Sequence, residues 1–234
     1  MAGALVDVIF PPVCPGCKRV GELFCTRCSR EISWLQEPLC MKCGRPQSRS
    51  LSQCLSCESR PMPLEQVRTA TLYEGSVVAA IKQFKYEGYF ALAKPLAKLM
   101  LTAWPRWQLP VDLVVPIPLH AARQRERGYN QAELMARILQ RNLDWRVEPA
   151  ALKRVRRTRP QVGLNPAERQ ANVYGAFIAE PALVSGKRIL LVDDVRTTGA
   201  TLIAAADVLL AAGAVSVSGY CLAGVGDTQN LHQI

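Results

Sequence analysis

The chain has 234 residues, enough for one full hydrophobic core and a smaller module beside it. Hydrophobic residues make up 49% and charged residues 21%, which excludes a disordered chain, and no stretch stays apolar over the roughly 20 residues that a membrane-spanning helix needs. The net charge of +10 predicts an anionic partner, either nucleic acid or a phosphorylated small molecule.

The amino terminus, MAGALVDVIFPP, has neither the basic leader nor the long apolar centre of a secretory signal. A cytoplasmic location is therefore expected. Thiols stay reduced in that compartment, so the cysteines of this chain are expected to bind metal rather than to form disulfides.

Eight of the nine cysteines form four C-x-x-C pairs before residue 60. Each pair can direct two sulfurs at one ion, and two pairs complete a tetrahedral site with no open position, which predicts two structural zinc ions. Redox C-x-x-C motifs and iron–sulfur clusters fit the context and the spacing less well. Pairs that are neighbours in sequence can share an ion, or the first pair can join the third and the second the fourth. The predicted ligands are Cys14, Cys17, Cys25, Cys28, Cys40, Cys43, Cys54 and Cys57.

A change in composition marks the end of this metal-binding module. Residues 1–60 are predicted to form a double zinc ribbon, and residues 61–66, with Pro61 and Pro63, a linker. Residues 67–234 then form the second domain.

The second domain begins with alternating strand and helix patterns. "VRTATLYEG" predicts a strand, and "SVVAAIKQFKY" a helix with Ser76 as its N-cap. "FALAKPLAKLMLTAW" predicts a second helix with Pro95 in its first turn or at a kink. "VDLVVPIP" reads as a short strand, and "NQAELMARILQRNL" as a helix that begins after Asn130.

The carboxyl-terminal third continues the alternation. "KRILLVDD" is apolar throughout its centre, as expected of a strand buried on both faces. "TLIAAADVLLAAGA" predicts a helix that ends at Gly213, and "VSVSGYCLAG" a last strand. This order predicts an α/β fold with a parallel sheet and helices on both faces.

The segment "ILLVDDVRTTGAT" places two acids where a buried strand meets a small, hydroxyl-rich loop. Ligands of open parallel sheets bind at this edge, and a loop that leads into a helix N-terminus receives anions. Adjacent carboxylates beside an anion site suit the vicinal hydroxyls of a sugar phosphate. The nucleotide P-loop and the dinucleotide G-x-G-x-x-G motifs are both absent from the sequence. A Mg²⁺-binding hydrolase remains an alternative.

"VDDVRTTGAT" resembles the phosphoribosyl-pyrophosphate (PRPP) motif of phosphoribosyltransferases. Together with "VVPIPLH", "RERGYNQAE" and "RPQVGLNPAERQANVYGAF", all downstream of C-x-x-C pairs, it makes the chain similar to the ComF family of competence and DNA-utilisation proteins, from Phe10 to about Ala223. The resemblance implies a phosphoribosyltransferase-type sheet that binds PRPP with Mg²⁺.

Carried over by position, the resemblance implies that Asp193 and Asp194 hold the ribose 2′- and 3′-hydroxyls. It assigns the 5-phosphate to Thr197, Thr198, Gly199, Ala200 and Thr201. Arg196, at a position that is commonly apolar in the family, is expected either to meet a ligand phosphate or to point to solvent. Pyrophosphate with Mg²⁺ is expected beside Pro116, Ile117 and Pro118, although two prolines there remove backbone donors. The charged candidates to replace those donors are Arg123, Arg125, Arg127, Lys82 and Lys85.

A basic segment follows the helix of "NQAELMARILQRNL" and is a candidate for nucleic-acid binding. It has no interleaved aromatic residues, so base stacking is not evident there. Two functions follow: a DNA-handling factor with a PRPP-type site, whose zinc ribbons and basic segment hold single-stranded DNA, or an active phosphoribosyltransferase. No residues of the sequence define a pocket for an acceptor base. The basic candidates are Lys153, Arg154, Arg156, Arg157 and Arg159.

Overall fold

A computed structural model describes residues 11–60, 62–107, 109–159 and 163–226. The segment on which the prediction about a secretory leader rests and the last eight residues of the predicted second domain lie outside these ranges. Within the described residues, no helix combines the length and the apolar character needed to cross a membrane.

Helices and strands alternate along most of the second domain, as the sequence predicts. Single turns of 3₁₀ helix occupy Phe90–Leu92, Trp104–Arg106 and Pro149–Ala151. In chain order the elements are α1 (Thr26–Arg30), α2 (Leu55–Glu58), β1 (Val67–Leu72), α3 (Gly75–Tyr86), α4 (Ala93–Ala103), β2 (Leu113–Pro116), α5 (Ala121–Arg127), α6 (Gln131–Leu143), β3 (Leu152–Arg154), α7 (Pro166–Val173), β4 (Phe177–Ala179), α8 (Pro181–Val184), β5 (Arg188–Arg196), α9 (Ala200–Ala211) and β6 (Ser216–Gly224).

The main sheet has four parallel strands in the order β1-β6-β5-β2, and β3 pairs with β4 in a separate antiparallel hairpin. Successive residues of β5 face opposite sides of the sheet. Leu190 and Val192 join the core formed by α3, α4 and α6, whereas Ile189 and Leu191 join the core beneath α9. The continuously apolar centre of this strand is therefore buried on both faces, and the predicted α/β architecture is confirmed.

Several boundaries differ from the sequence predictions. Helix α3 begins at Gly75 with Glu74 as its N-cap, because the Ser76 hydroxyl donates to the carbonyl of Cys28 at 3.3 Å instead of capping the helix. Strand β5 runs two residues beyond Asp194, to Arg196. Arg123, Arg125 and Arg127 lie on helix α5, and neither this helix, the hairpin β3–β4 nor helix α7 was predicted.

The cysteine-rich module lies along the outer edge of β1. The Leu35 amide donates to the Ala70 carbonyl at 3.2 Å, the Leu72 amide to Ser33 at 2.8 Å, and the Val67 amide to Lys42 at 2.8 Å. These hydrogen bonds occupy backbone groups that an edge strand would otherwise expose.

The segment predicted as a linker also packs on the sheet. Leu64 is fully buried, the Glu65 amide donates to the Val217 carbonyl at 2.7 Å, and the Gln66 carbonyl accepts from the Gly219 amide at 2.9 Å. Its second half is therefore held against β6.

Candidate functional site

The eight cysteines of the C-x-x-C pairs form two clusters, and in each cluster the four sulfurs lie within 4.8 Å of one another. The distances between Sγ atoms include 3.4 Å for Cys17–Cys25, 3.9 Å for Cys40–Cys57 and 3.7 Å for Cys54–Cys57. A tetrahedral ion with Zn–S bonds of about 2.3 Å requires sulfurs roughly 3.8 Å apart. The donor set therefore fits zinc. Neighbouring pairs share a cluster, so the alternative of joining first with third and second with fourth is wrong.

Backbone amides prepare these cysteines to bind metal as thiolates. The Cys25 amide donates to the Cys14 sulfur, and the Cys43 amide to the Cys40 sulfur, both at 3.5 Å. Burial raises the pKa of both thiols, but the surrounding amides outweigh it and lower the pKa to about 6 for Cys14 and about 7 for Cys40. Each cluster thus contains a thiol that ionises readily, as zinc ligation requires.

The candidate ligand site is a hollow of about 1220 Å³ at the carboxyl end of the central strands. This is the edge at which parallel α/β sheets bind ligands. Among the described residues, eight basic side chains line it against four acidic ones, so the hollow favours an anion. The basic residues are Lys82, Lys85, Arg123, Arg127, Arg154, Arg157, Arg159 and Arg169, and the acidic ones are Glu87, Glu126, Asp193 and Asp194.

The two adjacent acids lie at the floor of the hollow. Asp194 is 7% exposed and forms an ion pair with Lys85, with 2.7 Å between Oδ1 and Nζ. Burial disfavours the charged form of Lys85, but the attraction of Asp194 outweighs it and raises the pKa of the amine. Asp193 accepts a hydrogen bond from the Asp194 amide at 2.8 Å. Burial and repulsion by Asp194 raise the pKa of Asp193 to about 7, against the opposing effect of Lys85.

The loop after β5 leads directly into helix α9. Gly199 adopts φ +82°, a left-handed conformation, and serves as the N-cap, while the Thr198 hydroxyl accepts from the Ala200 amide at 3.4 Å. The first-turn amides of α9 point out of the helix toward this end, where the helix dipole is positive. Thr197 and Thr201 line the hollow, whereas Thr198, Gly199 and Ala200 border a smaller cavity of about 110 Å³ behind it.

Arg196 lies away from the hollow and not in solvent. It is 4% exposed, and its guanidinium donates to the Val225 carbonyl at 3.4 Å behind the loop. Burial lowers its pKa, and the nearby Cys43 and Cys57 sulfurs oppose that effect. Arg196 and these two cysteines line the cavity behind the loop, so this arginine faces the second cluster.

The strand end at residues 116–118 supplies no free backbone donor. Pro116 and Pro118 have no N–H, and the Ile117 amide donates to the Val192 carbonyl at 2.9 Å. Arg123 and Arg127 project into the hollow from α5, four residues apart and hence on the same helical face. Arg125 lies between them, is exposed, and does not line the hollow.

The basic segment predicted to bind nucleic acid is divided by the fold. Arg154, Arg157 and Arg159 line the same hollow as the acids. Arg154 lies over the Phe177 ring at 5.2 Å and donates to the Thr158 hydroxyl at 2.5 Å. The exposed Lys153 and Arg156 do not line the hollow. Arg156 instead bonds the backbone carbonyls of residues 172 and 174.

The lining residues that the sequence did not predict include Tyr73 and Arg169. Tyr73 lies beside Lys85 and Asp194, and burial raises the pKa of its hydroxyl. Arg169 is 1% exposed, and its Nε donates to the Leu164 carbonyl at 2.9 Å. Its buried Nη1 has no hydrogen-bond partner among the residues that the structure describes. The sequence did contain a signal for Arg169. The capping box of Asn165 and Glu168 predicts the start of α7, and Arg169 then lies four residues before Val173 on the same, buried face of that helix.

Two family descriptions match separate parts of the chain. Residues 5–59 match the double zinc ribbon domain, and residues 125–233 match the phosphoribosyl transferase domain. The two matched segments contain the paired cysteines and the acids of β5, respectively.

Several bacterial proteins are similar over most of the chain. DNA utilization protein YhgH of Escherichia coli K12 is 33% identical over 204 residues, covering 85% of this chain and 88% of that protein. Competence protein F of Haemophilus influenzae is 31% identical over 186 residues, covering 76% and 80%. Competence protein ComFC of Bacillus subtilis is 29% identical over 209 residues, covering 86% and 84%.

Solved structures show weaker likeness. Glutamine PRPP amidotransferase from B. subtilis aligns with a TM-score of 0.38 and 23% identity, over 55% of this chain and 25% of that chain. Adenine phosphoribosyltransferase from Leishmania donovani aligns with a TM-score of 0.35 and 13% identity, over 76% of this chain and 86% of that chain.

Proposed function

The chain belongs to the ComF family of DNA utilization and competence proteins, and from that membership we propose that it binds PRPP or a related ribose phosphate with Mg²⁺ and handles single-stranded DNA. The observation that carries the proposal is the hollow. It brings two adjacent carboxylates, a loop at a helix N-terminus and eight basic side chains to one sheet edge.

The carboxylates suit the hydroxyls of a ribose. An ionised carboxylate has about four acceptor sites, and Lys85 uses one oxygen of Asp194. Asp194 can therefore accept a hydroxyl while the ion pair persists, and Asp193 can accept the vicinal one. Thr197 and Thr201 lie beyond them at the start of α9, where the helix N-terminus favours a phosphate.

The same carboxylates fit Mg²⁺ only together with a phosphate ligand. Mg²⁺ is commonly held by one or two carboxylates and substrate phosphates, and when bound it would neutralise charge on pyrophosphate oxygens. Lys85 is paired with Asp194, and Arg154 opposes the raised pKa of Asp193, so cations already face both acids. We therefore propose that the metal enters as a complex with the ligand. Arg123 and Arg127 are the charged donors for pyrophosphate.

Single-stranded DNA is proposed to lie along the basic side of the hollow. DNA lacks the ribose 2′-hydroxyl and cannot satisfy both carboxylates, so the strand and the ribose phosphate occupy different parts of the site. Arg157 and Arg159 are exposed at its margin, where backbone phosphates can reach them. The zinc ribbons keep the structural role that their closed clusters support.

The ribose-phosphate half is tested by thermal melting with PRPP and Mg²⁺. The ligand is expected to raise the melting temperature of the wild type, and Asp194→Ala is expected to abolish that rise. Asp207 is an exposed acid on α9, and Asp207→Ala is the control variant that should retain the rise in melting temperature. Absence of any rise in the wild type would contradict PRPP binding.

The DNA half is tested by the salt dependence of oligonucleotide binding. Arg154→Ala with Arg157→Ala should weaken binding and reduce the slope of affinity against salt by about 2, since two phosphate contacts are lost. Lys153→Ala with Arg156→Ala removes the same charge from the same segment outside the hollow and should change the slope less. Equal effects of the two pairs would argue against a strand in the hollow.

An active phosphoribosyltransferase is the second candidate function. The volume of the hollow, about 1220 Å³, leaves room for an acceptor beside the ribose phosphate. The reaction would rely on electrostatic stabilisation of the departing pyrophosphate by arginines. A screen for pyrophosphate release across free bases tests it, and release with any one base would establish turnover.

A cytoplasmic location is part of the proposal. Among the described residues no disulfide is present, and eight of the nine cysteines are arranged as metal ligands, as expected of a reducing compartment.

A further inference from the structure

We propose that Tyr86, Tyr89 and Phe90, here called the aromatic rim, form a stacking surface for bases of the single strand whose backbone lies in the hollow. The inference rests on the proposed DNA-handling function and assigns it a surface outside the basic segment and the zinc ribbons.

The aromatic rim exposes large rings to water. Tyr86 is 66% exposed, Tyr89 42% and Phe90 65%, all at the turn between α3 and α4. Gly88 adopts φ +74° in this turn, and its carbonyl accepts from the Phe90 amide at 2.8 Å. Three exposed rings within five residues form a local patch, which isolated exposed side chains do not.

The rim adjoins the basic hollow and is held in place there. Tyr86 itself lines the hollow, and the Arg127 guanidinium lies over its ring at 5.5 Å. Phe90 meets Tyr129 edge-on, with 6.5 Å between ring centroids. Tyr129 is fixed in turn by stacking on Phe84 at 5.6 Å. Tyr86 and Phe90, held in this way, lose little entropy when a base stacks on them.

The combination of positive charge and exposed aromatic rings favours single-stranded nucleic acid as the ligand of this surface. Proteins that bind single strands join a positive groove to aromatic side chains on which unpaired bases stack. Arg154, Arg157 and Arg159, on the basic side of the hollow, supply the groove, and the rim supplies the rings. A duplex keeps its bases stacked on one another and cannot use such a surface. A single strand fits both parts.

The basic segment at 153–159 lacks interleaved aromatic residues, and the fold supplies them from a distant part of the chain. Helix α3 and Arg154 meet at the same hollow although more than sixty residues separate Tyr86 from Arg154. The strand is thus expected to follow the margin of the hollow, with phosphates on the arginines of the basic segment and bases on the rim.

An abasic oligonucleotide separates stacking from charge, because it keeps the phosphates and removes the bases. Fluorescence anisotropy would compare intact and abasic single strands of about 12 nucleotides, within the size range of single-strand sites. The full-length wild type is expected to bind the intact strand at least roughly tenfold more tightly, the lower part of the range for base–aromatic stacking. Tyr86→Ala with Phe90→Ala should reduce that ratio toward one.

Tyr174→Ala is the matched control, since Tyr174 is 82% exposed but does not line the hollow, and it should keep the wild-type ratio. A melting curve for each variant checks folding. If the wild type binds intact and abasic strands equally, or if the double variant keeps the full ratio, the rim is not a stacking surface and the DNA-handling proposal stands. If neither strand binds at low salt, both proposals fail.

Discussion

Replacing Arg169 by methionine is expected to stabilise the ligand-free protein and to weaken its response to phosphate ligands. The side chain is 1% exposed, and within the described part of the chain its one hydrogen bond joins Nε to the Leu164 carbonyl. Nη1 is buried, and no described residue forms a hydrogen bond with it or an ion pair with the guanidinium. Burial alone lowers its pKa. A charge held in this state lowers stability unless a ligand supplies the missing anion.

The size of the effect follows from the hydrogen bonds gained and lost. Leaving a buried donor unsatisfied costs about 1–3 kcal/mol, whereas the bond to Leu164 contributes about 1 kcal/mol. Methionine fills a similar volume without a polar group, so a net gain of about 1 kcal/mol is expected, or about 2–4 °C in melting temperature for a chain of this size. Loss of a charge-assisted bond to the ligand, at about 1.5–3 kcal/mol, should weaken phosphate binding by roughly 10- to 150-fold.

Thermal melting with and without PRPP and Mg²⁺, and with pyrophosphate alone, measures both effects on one sample. Arg125→Met is the control, because this exposed arginine does not line the hollow and should change neither quantity much. A lower melting temperature for Arg169→Met together with an undiminished ligand shift would refute the reasoning. Arg169 would then be a structural residue.

Four further outcomes are expected from the structure. The pKa of the Asp193 carboxyl is raised to about 7 in the folded protein, against about 3.9 in the unfolded chain. The protonated carboxyl therefore contributes stability that is fully present below about pH 3.9 and is lost as the pH rises through about 7. Asp193→Asn should raise the melting temperature at pH 8 and not at pH 4. Gly199→Ala should cost about 1–2 kcal/mol in urea unfolding, since φ is +82° but the added carbon meets no atom within 4 Å. Gly224→Ala should cost more, because its added carbon would lie 2.8 Å from Thr69 Oγ1. Metal analysis should find two zinc ions per chain, and a chelator should lower the melting temperature.

The fold was predictable wherever local pattern and tertiary packing agree. The apolar centre of β5 indicated a strand buried on both faces, and Asn130 caps α6 through its side chain as expected. The prediction that Ser76 caps α3 is wrong, because its hydroxyl donates to the Cys28 carbonyl. This contact joins the cysteine-rich module to the second domain, and the local sequence around Ser76 does not indicate it. Helix α5 was missed because it is only seven residues long and has no buried residue, so it lacks an apolar stripe.

The candidate site was predictable only along one stretch of chain. Asp193 and Asp194 follow a recognisable strand, and the edge rule for parallel sheets then places them at a ligand site. Arg169 and Tyr86 line the same hollow because α7 and α3 both border it, which depends on contacts distant in sequence. The direction of a side chain also depends on its position within a strand. Successive side chains of β3 point to opposite faces, so Arg154 lines the hollow and the preceding Lys153 does not.

The zinc ribbon and the α/β domain are separate segments of the sequence, but they pack against each other near the loop between β5 and α9. The first cluster is part of the core that contains α3, the helix that carries Lys85. The second borders the cavity behind Thr198–Ala200, where buried Arg196 faces the sulfurs of Cys43 and Cys57. A zinc ion with four thiolates carries a net charge of −2, which offsets a buried guanidinium in a way that neutral thiols do not. Loss of this metal would leave Arg196 uncompensated directly behind the loop, and it would release the module that covers the edge of β1. We therefore expect the closed zinc sites to support the geometry of the hollow although none of their cysteines lines it.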